Sequence, residues 1–199
     1  MLIGLDFDNT IVCYDKAIAR LADELFDLPP YLPRTKLALR DFLRQANREP
    51  EWTAFQGALY GPGMAYAEPF EKALETMQAL KEMGHSLCVV SHRSLRPYAG
   101  PVYDLHAAAR SWIDERLASC GLIENGVAHF HEKRGQKIAA IRDLGCNAFL
   151  DDLPEVLEDE DFPSTCLAIL FDPAMSNART KSKRVRHWGE VLELLSKLK

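Results

Sequence analysis

Met1-Leu2-Ile3-Gly4-Leu5-Asp6-Phe7-Asp8-Asn9-Thr10 is the stretch that decides the fold. A short apolar run that stops at two carboxylates reads as a buried strand ending at a site. Residues two apart on a strand share a face, so Asp6 and Asp8 would project together from its carboxyl end. Like charges held together repel. A hard divalent cation, which prefers oxygen ligands, removes that repulsion. The plainer reading of the same residues is a strand running into an Asp-Asn turn.

The chain around this stretch has 199 residues, enough for one good core and a small second lobe. Hydrophobic residues make up 47% and charged residues 27%, an ordinary globular balance. A net charge of −5 argues against a nucleic-acid polymer as partner. The one basic stretch, Arg179 to Arg186, reads as solvated surface, with phosphate recognition as the less favoured alternative. Five scattered cysteines without a Cys-x-x-Cys fit reduced thiols in a cytoplasm and not a disulfide framework or zinc site. Asp6 interrupts the N-terminal apolar run too early for a signal peptide, and no run is long enough to span a bilayer, so no membrane partner is expected. Nothing in the sequence reads as an oligomer signal.

Strand candidates recur at Leu2–Phe7, Ser86–Ser91, Val127–Phe130, Ala148–Leu150 and Leu167–Phe171. Between them the spacing predicts helices over Phe70–Met83, Asp104–Cys120 and Gln136–Leu144, stopped by Gly84, Gly121 and Gly145, and a last helix over Trp188–Leu198. Pro69 suits the first turn of the first of these. This alternation implies an α/β fold, a doubly wound and mainly parallel sheet covered on both faces. Ligands bind such sheets outside the carboxyl ends of the strands, where strand order reverses. Residues 14–68 depart from the pattern. Asp15–Phe26, Thr35–Ala46 and roughly Glu51–Leu59 read as helices with no strand among them, a helical lobe inserted after the first strand. The remainder, 1–13 and 69–199, forms the α/β core.

Three more signals fall at or near strand ends. Leu87-Cys88-Val89-Val90 runs into Ser91-His92-Arg93-Ser94, where a hydroxyl can donate to a phosphate oxygen. Phe149-Leu150 runs into Asp151-Asp152-Leu153-Pro154, a second acidic pair. Asp152 also suits a helix N-terminus, whereas Asp151 is harder to place without a cation. Lys137 stands near the start of a helix, where a cation is mildly disfavoured, and so hints at an anion nearby; Lys133 is its rival.

Asp6-x-Asp8-x-Thr10, Ser91, Lys137 and Asp151-Asp152, in that order, resemble the four motifs of the haloacid dehalogenase-like (HAD) superfamily. The resemblance covers nearly the whole chain outside the insertion, which lies where the family's small type 1 caps occur and would close over the site. It implies a phosphatase in which Asp6 is the nucleophile and Asp8 the general acid and base. A second Asp at that position goes with phosphoryl transfer, and the dehalogenases lack it. Mg²⁺ would be held by Asp6, the backbone carbonyl of Asp8, Asp151 and Asp152. Ser91 and Lys137 would hold the phosphoryl oxygens, with backbone N–H groups near Asn9, Thr10 and His92 completing the cradle. The loop after Ser91, with Arg93, Arg96, Tyr98, Tyr103 and His106, suits a polar leaving group, and Arg93 is the first choice for a substrate contact. Trp52, Gln56 and Tyr60 of the insertion could face the site, with core packing the stronger role for Trp52. The implied partner is a small phosphorylated metabolite: a nucleoside monophosphate, a sugar phosphate or another. A phosphomutase or phosphotransferase of the same superfamily is the alternative activity, and a receiver-like phospho-signalling module a remote one.

Overall fold

The structure, a computed structural model, describes residues 1–124, 128–177 and 180–197. Its strands are β1 (Leu2–Leu5), β2 (Val12–Cys13), β3 (Glu68–Pro69), β4 (Ser86–His92), β5 (Ala128–His131), β6 (Ala148–Asp151), β7 (Leu167–Phe171) and β8 (Lys183–Val185). Its α-helices are α1 (Asp15–Leu25), α2 (Lys36–Gln45), α3 (Glu49–Tyr60), α4 (Ala73–Glu82), α5 (Leu105–Ile113), α6 (Arg134–Asp143), α7 (Pro154–Leu157) and α8 (Trp188–Leu195), with a 3-10 helix over Pro62–Tyr66 and a π-helical turn over Asp114–Ala118. Among the described residues, no helix is long and apolar enough to cross a membrane.

The chain divides into two compact units: Met1–Val12 with Pro69–Arg93 and Asp114–Lys199, and Cys13–Glu68 with Ser94–Ile113. The first unit is a six-stranded parallel sheet in the order β5-β4-β1-β6-β7-β8. The chain leaves β1 for β4 and β5 on one side, then returns to the other side for β6, so strand order reverses at β1. Both faces are covered. On one, Ile138 and Ile141 of α6 and Val156 and Leu157 of α7 pack with Cys88, Val90, Phe149 and Leu170. On the other, Trp188 of α8 meets Phe171, and its backbone carbonyl accepts the Thr76 hydroxyl of α4 at 3.2 Å. The near-continuous apolar strands follow from this double burial.

Gly4 is required by a close approach. A Cβ there would sit 2.8 Å from Cε2 of Phe149 and 2.9 Å from Sγ of Cys146. The Phe149 ring therefore occupies the space that a side chain on Gly4 would need.

Several boundaries differ from the expectations: β1 ends at Leu5 and not Phe7, and the helix expected over Asp104–Cys120 is α5 followed by a π-helical turn, Asp114–Ala118. The helix over Phe70–Met83 starts only at Ala73. Phe70 N donates to Ile11 O at 2.8 Å, Lys72 takes a left-handed φ of 62°, and Pro69 belongs to β3 and not to a helical turn. The basic stretch contains β8, an edge strand whose Val185 is buried while Lys183 is exposed; Arg179 lies outside the described residues. Val127 and Leu198, the expected outer residues of a strand and of the last helix, also lie outside them. The glycine stops behave as read: Gly84, Gly121 and Gly145 adopt φ of 84°, 68° and 70°.

The second unit is helical. Leu21 and Ala22 of α1, Leu39 and Leu43 of α2 and Trp52, Phe55 and Leu59 of α3 form its interior. Trp52 stacks on Phe55 at 5.7 Å, a packing role. The unit takes in Ser94–Ile113, which the sequence had assigned to the α/β core. Small residues explain the attachment. A Cβ on Gly57 of α3 would lie 2.8 Å from the Pro97 side chain, so the 94–103 loop rests directly on that helix. Trp112 of α5 donates its indole N–H to Ala67 O at 3.0 Å. Gln56 and Tyr60 line a pocket of about 160 Å³ with Thr53, Ser94, Pro97, Tyr98 and Leu105 of the same unit.

Candidate active site

The site grows from the carboxyl ends of β1, β4 and β6, three neighbours in the sheet. Leu5 pairs with Val89 on one side and Leu150 on the other. One residue further, Asp6 N donates to Leu150 O at 2.8 Å, which holds Asp6 level with Asp151. The next residues leave the ladder. Ile11 N and Val12 N both donate to Phe7 O at 3.1 and 3.0 Å, and Asn9 N donates to Val12 O at 3.0 Å. Asn9 takes φ 59°, a left-handed conformation that asparagine tolerates better than most residues. The Asp-Asn pair thus sits in a turn just past the end of β1.

Asp6 is 4% exposed and Asp151 is fully buried. Lys137, also fully buried, reaches both: its Nζ lies 2.6 Å from Asp6 Oδ1 and 2.6 Å from Asp151 Oδ2. Lys133 is exposed at the N-cap of α6. Lys137 is brought inside because Ile138 and Ile141 of the same helix anchor it against the sheet. Its ammonium stands 5.5 Å from the centre of the Phe149 ring. Thr10 donates its hydroxyl to Asp6 Oδ2 at 3.2 Å, and Leu153 N donates to Asp151 Oδ1 at 3.0 Å. Asp8 stands apart from this knot: Arg93 Nη1 donates to its Oδ1 at 2.7 Å.

The electrostatics follow from burial. Loss of water pushes the Asp6 carboxyl well above its ordinary pKa; Lys137 opposes the rise, and Asp151, Asp152 and Asp8 add to it. Asp151 is raised by burial too, against the pull of Lys137. Burial alone would lower the Lys137 ammonium, but Asp151 and Asp6 outweigh it, so Lys137 stays charged.

Asp6, Asp151 and Asp152 each offer an oxygen within 4.8 Å of the others, a group of hard donors without His or Cys. That donor set fits Mg²⁺. A dication among them would also draw Asp6 back to its ionised form. Ser91 is fully buried, and its hydroxyl has no hydrogen-bond partner among the described residues. An orphaned buried hydroxyl costs free energy and calls for a ligand or water.

Of the residues singled out in the sequence, the structure gathers Asp6, Lys137, Asp151 and Asp152 into one cluster and sets Thr10 against Asp6. His92 is exposed, its Nε2 3.0 Å from Glu132 O. Sequence reasoning missed the Arg93–Asp8 pair; the register of two strand ends was its only signal.

No protein-family model matches the sequence, and no curated protein matches it. Solved structures do match its fold. A predicted phosphatase from Clostridium acetobutylicum aligns with a TM-score of 0.62 at 14% identity, covering 99% of this chain and 98% of that one. The HAD-hydrolase YfnB from Bacillus subtilis, bound to magnesium, aligns with a TM-score of 0.62 at 12% identity over 98% and 97%. A dehalogenase captured in an intermediate complex aligns with a TM-score of 0.60 at 14% identity over 97% and 96%. Phosphatases and dehalogenases thus share this architecture, and the chemistry must be argued from the site. The chain has the fold of the haloacid dehalogenase-like superfamily.

Proposed function

We propose that this protein is a Mg²⁺-dependent phosphatase that hydrolyses a small phosphate monoester through an aspartyl-phosphate on Asp6. The observation that carries the reading is the buried Asp6 carboxylate held by the charged Lys137, with Asp8 two residues on supplying a second carboxylate. That second carboxylate favours phosphoryl transfer over carbon–halogen cleavage, because an ester oxygen leaving phosphorus needs a proton.

Asp6 attacks phosphorus and the ester P–O bond breaks, with Asp8 protonating the departing oxygen. Water then attacks phosphorus and gives a proton to Asp8. The bond from phosphorus to Asp6 breaks, and inorganic phosphate leaves. Lys137 stays protonated through both steps and steadies the charge on Asp6 and on the phosphoryl oxygens. Ser91 donates its hydroxyl to one of those oxygens, which ends its isolation. Asp6, Asp151, Asp152 and the backbone carbonyl of Asp8 would hold Mg²⁺. The ion would neutralise the carboxylates and let an anionic substrate approach an anionic nucleophile. Chemistry of this kind, with unpaired thiols, suits the cytoplasm and a small phosphorylated metabolite as substrate.

The purified protein is expected to release 4-nitrophenol and stoichiometric inorganic phosphate from 4-nitrophenyl phosphate with Mg²⁺, and to stop in excess EDTA. Undiminished activity in EDTA would defeat the metal assignment. Nitrophenol without free phosphate, the phosphoryl group passing to an added alcohol, would make the protein a phosphotransferase.

A further inference from the structure

We propose that Arg93 is a positioning residue: it holds the Asp8 carboxylate where the proton is given and taken. This role presupposes the phosphatase chemistry above and goes beyond it. Arg93 stands just past β4, and its backbone N–H donates to His131 O at 2.8 Å, one step beyond the His92–His131 pairing. Its main chain is therefore held by the sheet. The side chain is 4% exposed. The guanidinium carbon lies 5.7 Å from the centre of the Phe7 ring, which is fully buried and meets Phe130 of β5 edge-on at 6.2 Å. Strand ends from β1, β4 and β5 thus fix the guanidinium before any substrate arrives.

What it is fixed upon is Asp8, at 2.7 Å from Nη1 to Oδ1. The Asp8 backbone is already tied into the Phe7–Val12 turn, so its side-chain torsions are the freedom left to remove. Proton transfer needs a heavy-atom separation of roughly 3 Å, and a carboxylate that rotates away loses it. A charge-assisted bond to a buried, planar guanidinium is a strong restraint of that kind. In both half-reactions the proton moves between Asp8 and an oxygen on phosphorus or in water. Arg93 touches neither and acts through Asp8, in place of the direct substrate contact that the sequence suggests.

The test compares kcat/KM for 4-nitrophenyl phosphate, whose leaving group departs without a proton, with that for benzyl phosphate, whose alkoxide needs one. Arg93→Met is expected to lower the benzyl value by about 100-fold and the nitrophenyl value by less than about tenfold. Adding Asp8→Asn to Arg93→Met should then cost little more on benzyl phosphate, since both changes remove one function. Equal losses on the two esters would overturn the role, because a lost substrate contact or a weakened fold affects both alike. Should melting curves show Arg93→Met unfolded, Arg93→Lys is read by the same ratio, and an unchanged ratio with lowered rates again overturns it. A wild-type protein inactive on both esters sinks the phosphatase reading itself.

Discussion

Three strands of one sheet run into buried aspartates, and the end of β7 is satisfied in the opposite way to the ends of β1 and β6. Asp172 follows β7 and is 3% exposed. Its Oδ1 accepts Ser176 N at 2.9 Å and the Ser176 hydroxyl at 3.1 Å, and its Oδ2 accepts Asn177 N at 3.1 Å. Burial works to raise its pKa, but these donors prevail and hold it below the ordinary carboxylate range. Asp6 and Asp151, similarly buried, are pushed upward by the loss of water, which the shared Lys137 ammonium opposes without outweighing. Burial alone therefore does not mark a site. Asp172 is answered mainly by donors of its own loop, with Arg184 Nε 3.6 Å from its Oδ2 as a longer-range partner. Asp6 and Asp151 each have one neighbouring donor, Thr10 or Leu153 N, but share a distant lysine and face further carboxylates, the pattern expected of a site under the proposed function.

The sharpest way to break the contrast is Asp6→Asn. It should abolish turnover, by at least about 10⁴-fold, with an unchanged circular dichroism spectrum, since it removes the attacking charge but little volume. Retained turnover would strip Asp6 of its role. Next in size is Lys137→Met, which leaves two buried carboxylates without their cation. It should cost about 3–5 kcal/mol in urea denaturation without metal, and added Mg²⁺ should recover part of the loss. No loss would mean that the ammonium is not what stabilises the pair. Asp172→Asn is expected to cost a smaller amount, about 1–3 kcal/mol, and to leave kcat/KM near the wild-type value. A collapse of activity in a folded Asp172→Asn protein would join the end of β7 to those of β1 and β6 in one functional unit.

The smallest effect is a pH dependence. Because the folded pKa of Asp172 is depressed, its contribution is fully present above the unfolded value of about 3.9 and is lost as pH falls through the folded one. The stability gap between wild type and Asp172→Asn should therefore close in denaturation series run below about pH 4. A gap that widens on acidification would mean that the shift has the opposite sign.

The sheet was legible because β1, β4, β6 and β7 are apolar runs cut short by polar residues. The acidic cluster was legible for the same reason: its members stand where those runs stop. Lys137 was harder to separate from Lys133, since one turn of helix decides which lysine faces inward, and the companions Ile138 and Ile141 decide it. β8 stayed hidden because a three-residue edge strand made of Lys183, Arg184 and Val185 carries no pattern a surface run lacks. The grouping of Ser94–Ile113 with the helical unit depends on Gly57 meeting Pro97, a fit between residues far apart in the chain. Arg93 reads from sequence as a ligand for substrate, because nothing local shows that Asp8 is close enough to claim it.

Gly4 carries a last consequence. Any side chain there would have to push aside the Phe149 ring, whose face lies toward the Lys137 ammonium. A methyl group two residues upstream of Asp6 would thus disturb the charge balance around it without touching its carboxylate. A mutational screen scored on turnover alone would rank position 4 beside the acids, and a melting curve would sort scaffold from reagent.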